Sequence, residues 1–89
     1  MEPISIGGAW TFVPTVHRDD RGHFLEWFRA GELSESLGYW PETAQANCSV
    51  SRSGVIRGIH FASVPPGQAK YVTCVSGAVL DVIVDLRVG

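Results

Sequence analysis

His60 is the side chain whose type best suits proton transfer near neutral pH, because an imidazole titrates in that range. It lies in the apolar stretch 55–61, where a histidine can equally be a structural residue held by one hydrogen bond. Arg57 precedes it by three residues, and in a regular strand two such side chains point to opposite faces. Gly58 between them permits a bulge that turns both to one side. The pair is therefore either one site or two unrelated side chains.

Further cations and amides could complete such a site. Lys70 precedes an apolar stretch and could stabilise an enolate oxygen, or it is an exposed lysine at a strand end. Arg21 and Arg57 could each grip a phosphate through two parallel hydrogen bonds, or they are surface charges. Gln45 and Asn47 share one strand face, where they could bind sugar hydroxyls or a base edge, or simply face solvent.

The histidines and cysteines do not have the spacing of a metal site. His17 and His23 are scattered and no HxH pair occurs, which predicts that no metal is bound. Cys48 and Cys74 form no CxxC motif, and each lies in a strand-like stretch, so we expect buried thiols that act as small hydrophobic residues.

The composition is that of a folded globular chain, with 45% hydrophobic and 18% charged residues among 89. A net charge of −2 without a basic block is a poor match for nucleic acid. No apolar run reaches the length of about 18 residues that a membrane span needs. The N-terminus lacks the basic and apolar segments of a signal peptide, so we expect a cytoplasmic protein without nucleic-acid or membrane partners.

The elements that must position these residues are mostly strands. The clearest is 78–87, whose even positions are all apolar and whose odd positions include Asp81, Asp85 and Arg87. The two aspartates could do acid–base work, but salt bridges with Arg87 or with another strand explain them more simply. Strands are predicted at 9–13, 23–28, 43–51, 55–61, 69–75 and 78–87, a short helix at 32–37 ending at Gly38, and turns at 19–22, 53–54, 65–67 and 76–77.

Short strands joined by tight turns predict an all-β sandwich or barrel. A barrel that stopped after 78–87 would have unpaired edges, so the fold is expected to be incomplete in this chain.

The polar stretches, taken in order, resemble the dTDP-4-dehydrorhamnose 3,5-epimerase family. The block from Arg57 to Phe61 together with Lys70 is the most specific part, and 65–72 is most similar to family members from antibiotic-sugar pathways. The matching motifs are Asp20-Arg21-Gly22-x-Phe24-x-Glu26, Gln45-x-Asn47-x-Ser49-x-Ser51, Gly54-Val55-Ile56-Arg57-Gly58-Ile59-His60-Phe61, Gln68-Ala69-Lys70-x-Val72, Gly77 and Asp81-Val82-x-Val84-Asp85-Leu86-Arg87.

The resemblance implies a cupin-type antiparallel β-sandwich, or jelly roll, of which residues 1–89 would be the N-terminal part of a single domain. It implies a homodimer without a metal or organic cofactor. The implied reaction is epimerisation of a dTDP-4-keto-6-deoxyhexose at C3, at C5 or at both, in deoxysugar biosynthesis.

The resemblance also implies a role for eight residues. His60 matches the general base, and Lys70 matches the lysine near the C4 oxygen. The implied substrate-binding residues are Arg21 and Arg57 at the diphosphate, Phe24 near the nucleotide, the amides Gln45 and Asn47, and Glu26, which with Arg21 belongs to a segment exchanged between subunits.

Two other functions stay open on the residues alone. The family's opposite-face acid, a tyrosine, and the aspartate that orients its base lie further along than position 89, and neither Tyr39 nor Tyr71 matches that tyrosine. A non-catalytic cupin-like module that binds a nucleotide sugar or supports assembly is therefore an alternative. A cupin ketoisomerase is a second, although Arg57-Gly58-x-His60 followed by Gln68-x-Lys70 favours the epimerase.

Overall fold

A computed structural model describes residues 1–88 and divides the chain into two units, each described here by itself. The first unit comprises Met1–Thr43 and the segment from Val79 onward, and the second comprises Ala44–Ala78. The regular elements of the described residues all lie in the first unit: β1 (Glu2–Pro3), β2 (Trp10–Thr11), β3 (Val16–Asp19), β4 (Gly22–Leu25) and α1 (Ala30–Leu37).

The β3–β4 hairpin is the longer of two antiparallel pairs. Its register places Val16 opposite Leu25 and Asp19 opposite Gly22, so the turn predicted at 19–22 is confirmed. The turn is closed by the Asp19 carboxylate, which accepts a 2.8 Å hydrogen bond from the Arg21 backbone N–H. Gly22 has φ 136°, a conformation that a side chain would disfavour. β4 matches the start of the strand predicted at 23–28, whereas β3 was not predicted because it is polar and does not alternate.

The β1–β2 pair is shorter, with Pro3 opposite Trp10, and covers only part of the strand predicted at 9–13. The Ile4 N–H donates to the Ala9 carbonyl at 3.1 Å, which extends the pairing by one hydrogen bond.

Helix α1 confirms the predicted helix and begins two residues earlier than the sequence indicated. It ends at Gly38, which has φ 80° and whose N–H donates a 2.9 Å bond to the Ser34 carbonyl, as expected of a left-handed C-cap. Leu33 is 8% exposed and is the one buried hydrophobic side chain among residues 1–88. At eight residues α1 is far below bilayer thickness, and no described helix could span a membrane.

The strands predicted at 43–51, 55–61, 69–75 and 78–87 were wrong for the described residues, in which none of these segments forms a paired ladder. A strand is stable only when a neighbour satisfies its backbone N–H and C=O groups. Most residues of these segments are exposed to solvent instead, and Leu80, for example, is 91% exposed. The hydrophobic pattern of the sequence predicted segments that could form strands, but it did not predict which segments would pair.

The turns between those segments do form as predicted. Around Ser53–Gly54, the Val55 N–H donates to the Arg52 carbonyl at 3.3 Å. In the Pro65–Gly67 loop, the Gly67 N–H donates to the Ser63 carbonyl at 2.9 Å. A bend occurs at Ser76–Gly77.

Two small antiparallel sheets and one short helix agree with the predicted all-β class.

Candidate functional site

The first unit contains an open groove of about 600 Å³ beside the β3–β4 hairpin, a volume within the range of small-molecule sites. Its walls include two of the predicted substrate-binding residues, Phe24 and Glu26. Phe24 is 69% exposed, and its ring lies 6.3 Å from the His17 ring, centroid to centroid, at an interplanar angle of 39°. An exposed aromatic face of this kind can stack on a nucleobase.

The groove combines apolar and acidic walls. Phe12 and Val13 add apolar surface, whereas Glu2 and Glu32 add carboxylates to that of Glu26. Carboxylates accept hydrogen bonds from hydroxyl and amide groups and repel phosphate. The groove therefore suits the uncharged base or sugar of a nucleotide better than its diphosphate.

Arg21 lies at the hairpin turn, outside the walls of the groove. Its Nε and Nη2 donate to Asp19 Oδ2 at 3.2 and 2.6 Å, and its side chain is 91% exposed. Hydrogen bonds from the Arg21 side chain and backbone hold the pKa of the Asp19 carboxyl below its ordinary value. The guanidinium is thus fixed by a carboxylate while still facing solvent.

Gln45 and Asn47 in the second unit lie together, although the strand predicted to carry them does not form. Gln45 Nε2 donates to Asn47 Oδ1 at 3.4 Å, a long hydrogen bond. Both side chains are exposed, so their remaining donors and acceptors are open to a ligand.

The Arg57 side chain forms hydrogen bonds across the Ser53–Gly54 turn that precedes it. Its Nε donates to Ser51 Oγ at 2.7 Å, and its Nη2 donates to the Val50 carbonyl at 3.2 Å. Both acceptors are uncharged, so the positive charge of the guanidinium is not neutralised by a partner.

His60 and Lys70 are both exposed, and in the described part of the chain neither makes a hydrogen bond or an ion pair. The structure therefore does not join the predicted base to Arg57 or to Lys70.

Asp85 and Arg87 form an ion pair that confirms one predicted salt bridge. Arg87 donates from its backbone N–H and Nε to Asp85 Oδ1 at 3.1 and 2.8 Å, and from Nη2 to Asp85 Oδ2 at 3.0 Å. These bonds lower the Asp85 pKa to about 2. Arg87 Nη2 also donates to the Gly7 carbonyl at 2.7 Å, which ties the segment from Val79 to the N-terminal residues.

Asp19 was missed by sequence reasoning. The signal that could have found it is the spacing Asp-x-Arg, which occurs at 19–21 and again at 85–87. An aspartate two residues before an arginine can bond both its backbone N–H and its guanidinium.

The cysteine prediction was wrong in one respect, since both Cys48 and Cys74 are free and exposed rather than buried. Each lies in a segment that has no strand partner, which removes the burial that the strand prediction assumed. Cys74 Sγ donates to the Ser76 carbonyl at 3.3 Å. Among residues 1–88 no three His, Cys, Asp or Glu side chains cluster closely enough to hold a metal ion.

A comparison with known families settles the relationship that the motifs indicated. The family model described as dTDP-4-dehydrorhamnose 3,5-epimerase matches residues 3–89. This chain belongs to the dTDP-4-dehydrorhamnose 3,5-epimerase family. The match covers the predicted site residues in both units.

Similar proteins carry related names within this epimerase family. A dTDP-4-dehydrorhamnose 3,5-epimerase from Streptomyces griseus is 58% identical over all 89 residues, which span 44% of that protein. A dTDP-4-dehydrorhamnose 3-epimerase from Streptomyces niveus is 56% identical over all 89 residues, which span 43% of that protein. A dTDP-4-dehydro-6-deoxyglucose 3-epimerase from a Streptomyces species is 52% identical over all 89 residues, which span 45% of that protein.

The chain thus spans less than half the length of these members of the epimerase family. No solved structure matches it.

Proposed function

We propose that this chain supplies the proton-abstracting and substrate-binding residues of an epimerase that acts on a dTDP-4-keto-6-deoxyhexose. The observation that carries the proposal is the family match over residues 3–89, together with 58% identity to a named 3,5-epimerase. Since such relatives are named as enzymes, a module that only binds nucleotide sugars is less favoured.

The chemistry begins with a hydrogen on a carbon beside the C4 ketone. His60 removes that proton onto its imidazole, and the electron pair of the broken C–H bond moves to the C4 oxygen, giving an enolate. The Lys70 ammonium stabilises the negative oxygen. An acid on the opposite ring face then protonates the carbon, which inverts it. His60 and Lys70 are both exposed, which supports their availability to a substrate.

Substrate binding is divided among the remaining site residues. Arg21 and Arg57 bind the diphosphate, and the uncharged acceptors of Arg57 support this role because its charge is not neutralised. Phe24 stacks on the nucleobase, and Glu26 accepts hydrogen bonds in the same groove. Gln45 and Asn47 contact the sugar.

The family resemblance supports the proposed setting of this reaction. The chain forms the N-terminal part of one cupin-type jelly roll, which assembles as a homodimer in which the segment bearing Arg21 and Glu26 is exchanged between subunits. The enzyme uses neither a metal nor an organic cofactor and works in the cytoplasm, without nucleic-acid or membrane partners. Most side chains of the β3–β4 hairpin are exposed, which leaves them available to a partner subunit.

The deciding experiment is proton NMR of dTDP-4-keto-6-deoxyglucose incubated with the protein in deuterium oxide. We expect the C3 signal, the C5 signal or both to disappear, because a working base exchanges the abstracted proton with solvent. A sample that shows the β3–β4 cross-strand contacts and binds dTDP, yet gives no exchange, contradicts proton abstraction.

His60→Ala tests the assignment of the base. It should abolish the exchange while leaving dTDP affinity nearly unchanged, because the imidazole does not contact the diphosphate. The matched control is His23→Ala, which removes another exposed histidine outside the proposed site and should leave exchange intact. Retained exchange in His60→Ala, or loss of dTDP affinity, would remove His60 from this role.

A further inference from the structure

Two Asp-x-Arg pairs in the chain share one local arrangement and differ in what surrounds it. In both, the arginine backbone N–H, Nε and Nη2 donate to the carboxylate two residues earlier. In the pair at 85–87, Nη2 also donates to the Gly7 carbonyl. In the pair at 19–21, the outer edge of the guanidinium makes no hydrogen bond to any of residues 1–88.

The geometry of a guanidinium makes this difference meaningful. The group carries five N–H donors, which form one fork at Nε and Nη2 and a second fork at Nη1 and Nη2. Asp19 occupies the first fork of Arg21 and leaves the second fork directed away from the turn. That second fork matches two oxygens of a phosphate.

We propose that Asp19 is a positioning residue, which holds the Arg21 guanidinium so that its outer fork meets the diphosphate of a nucleotide sugar. The inference rests on the proposed function, in which Arg21 binds that diphosphate. An exposed ion pair contributes little to folding stability, so the benefit of this one lies in orientation. An arginine fixed before binding loses less side-chain entropy when the ligand arrives.

A carboxylate this close to a phosphate also repels it, which lowers affinity, whereas positioning of Arg21 raises affinity. The direction in which affinity changes when Asp19 is replaced therefore tells which effect is larger. Because Asp19 is bonded to the far side of the guanidinium, the planar cation lies between the two anions. The Asp19 carboxylate is charged at neutral pH, and the bonds from Arg21 lower its pKa further.

Asp19→Asn shows which of the two effects dominates while preserving the turn. The asparagine Oδ1 still accepts from the Arg21 backbone N–H, whereas its NH₂ group cannot accept from the guanidinium. We expect dTDP affinity, measured by isothermal titration calorimetry, to fall by about 3- to 10-fold, the change that corresponds to ordering one long side chain. The exchange rate at saturating substrate should not change, because Asp19 does not approach the reacting carbon.

Three variants provide the controls. Asp85→Asn removes the equivalent carboxylate from the second pair and should leave dTDP affinity unchanged. Asp19→Ser keeps a hydroxyl acceptor for the turn and should lower affinity as Asp19→Asn does, which guards against a peculiarity of asparagine. Asp19→Glu restores the charge and should recover part of the affinity.

Arg21→Ala distinguishes failure of this proposal from failure of the function it rests on. Loss of more than about 10-fold in dTDP affinity in Arg21→Ala, with no loss in Asp19→Asn, overturns the positioning role alone. Tighter binding in Asp19→Asn also overturns it, because repulsion would then dominate. No effect of Arg21→Ala, or no dTDP binding by the unchanged protein, overturns the diphosphate assignment itself.

Discussion

Three arginines of this chain differ in the acceptors that occupy their guanidinium groups. Arg87 is bonded to a carboxylate and to the Gly7 carbonyl, so it serves the fold of the first unit. Arg57 is bonded only to a hydroxyl and a carbonyl, which fix its direction without neutralising its charge. Arg21 combines a carboxylate on one edge with an open second edge. The sequence predicted a salt bridge for Arg87 and the same two alternatives for Arg21 and Arg57, whereas the contacts also distinguish Arg21 from Arg57.

Arg57→Ala should weaken dTDP binding by about 2–3 kcal/mol, because charge-assisted hydrogen bonds to the diphosphate are lost. Calorimetric titration with dTDP measures this directly. Arg52→Ala is the matched control, since Arg52 is an exposed arginine of the same turn that is outside the proposed site. Equal affinities for the Arg57→Ala and unchanged proteins would exclude Arg57 from the diphosphate site.

The Asp85 carboxyl should titrate with a pKa of about 2, compared with an ordinary value of 3.8, because Arg87 bonds its charged form. A lowered pKa means that the carboxylate contributes stability above pH 3.8, and that this contribution is lost as pH falls toward 2. The carboxyl carbon shift of Asp85 against pH reports the titration.

Arg87→Gln should return the Asp85 pKa toward 3.8, whereas Arg57→Gln should not move it. An Asp85 pKa near 3.8 in the unchanged protein would show that the pair does not persist in solution.

At the scale of elements, the turns and the helix were predictable and most strands were not. The turns at 19–22 and 53–54 and the cap at Gly38 depend on residues within a few positions of each other. A strand depends on a neighbouring strand that can be far away in the chain. The alternation of apolar and polar residues along 78–87 does not identify that neighbour. β3 shows the reverse case, because a polar segment became a strand once the turn placed it beside β4.

One glycine within α1 and the glycine that caps it should respond in opposite directions to alanine. Gly38→Ala should destabilise the helix end by about 1 kcal/mol, because its φ of 80° is strained for a residue with a Cβ. Gly31→Ala should stabilise α1 by about 0.5–1 kcal/mol, because an added Cβ meets no atom within 4 Å and the unfolded chain loses freedom.

Exchange of the Leu33 amide, which is bonded to the Arg29 carbonyl at 3.2 Å, measures local opening of α1 in both variants. Faster exchange in Gly31→Ala than in Gly38→Ala would contradict the assigned helix bounds.

At the scale of the whole molecule, burial limits both stability and the prediction of the site. Leu33 is the single buried hydrophobic residue in the described chain, whereas Ile56 and Phe61 are 95% and 87% exposed. Hydrophobic burial is the main favourable contribution to folding, so little of it is available here. The residue types of His60 and Lys70 predict proton transfer and oxyanion stabilisation, but the distance between side chains of two unpaired segments could not be derived from sequence.

Amide hydrogen exchange should therefore divide the chain. Paired amides of the β3–β4 hairpin should be protected, whereas amides of 44–78 should exchange at rates near those of an unfolded peptide, because few of them are bonded. Dye binding to exposed apolar surface should accompany this pattern. Strong protection across 69–87 at low protein concentration would show that these segments have strand partners within the chain.

The turn at Pro65–Gly67 has a consequence for the speed of assembly. It joins two apolar segments, 55–61 and 69–75, and is closed by the hydrogen bond that the Gly67 N–H donates to the Ser63 carbonyl. Closing a long loop slows folding, whereas a hairpin closed by a short turn forms in about 1–10 μs. Pairing of 55–61 with 69–75 would therefore need only this short loop to close, and a search through the chain would not limit its rate.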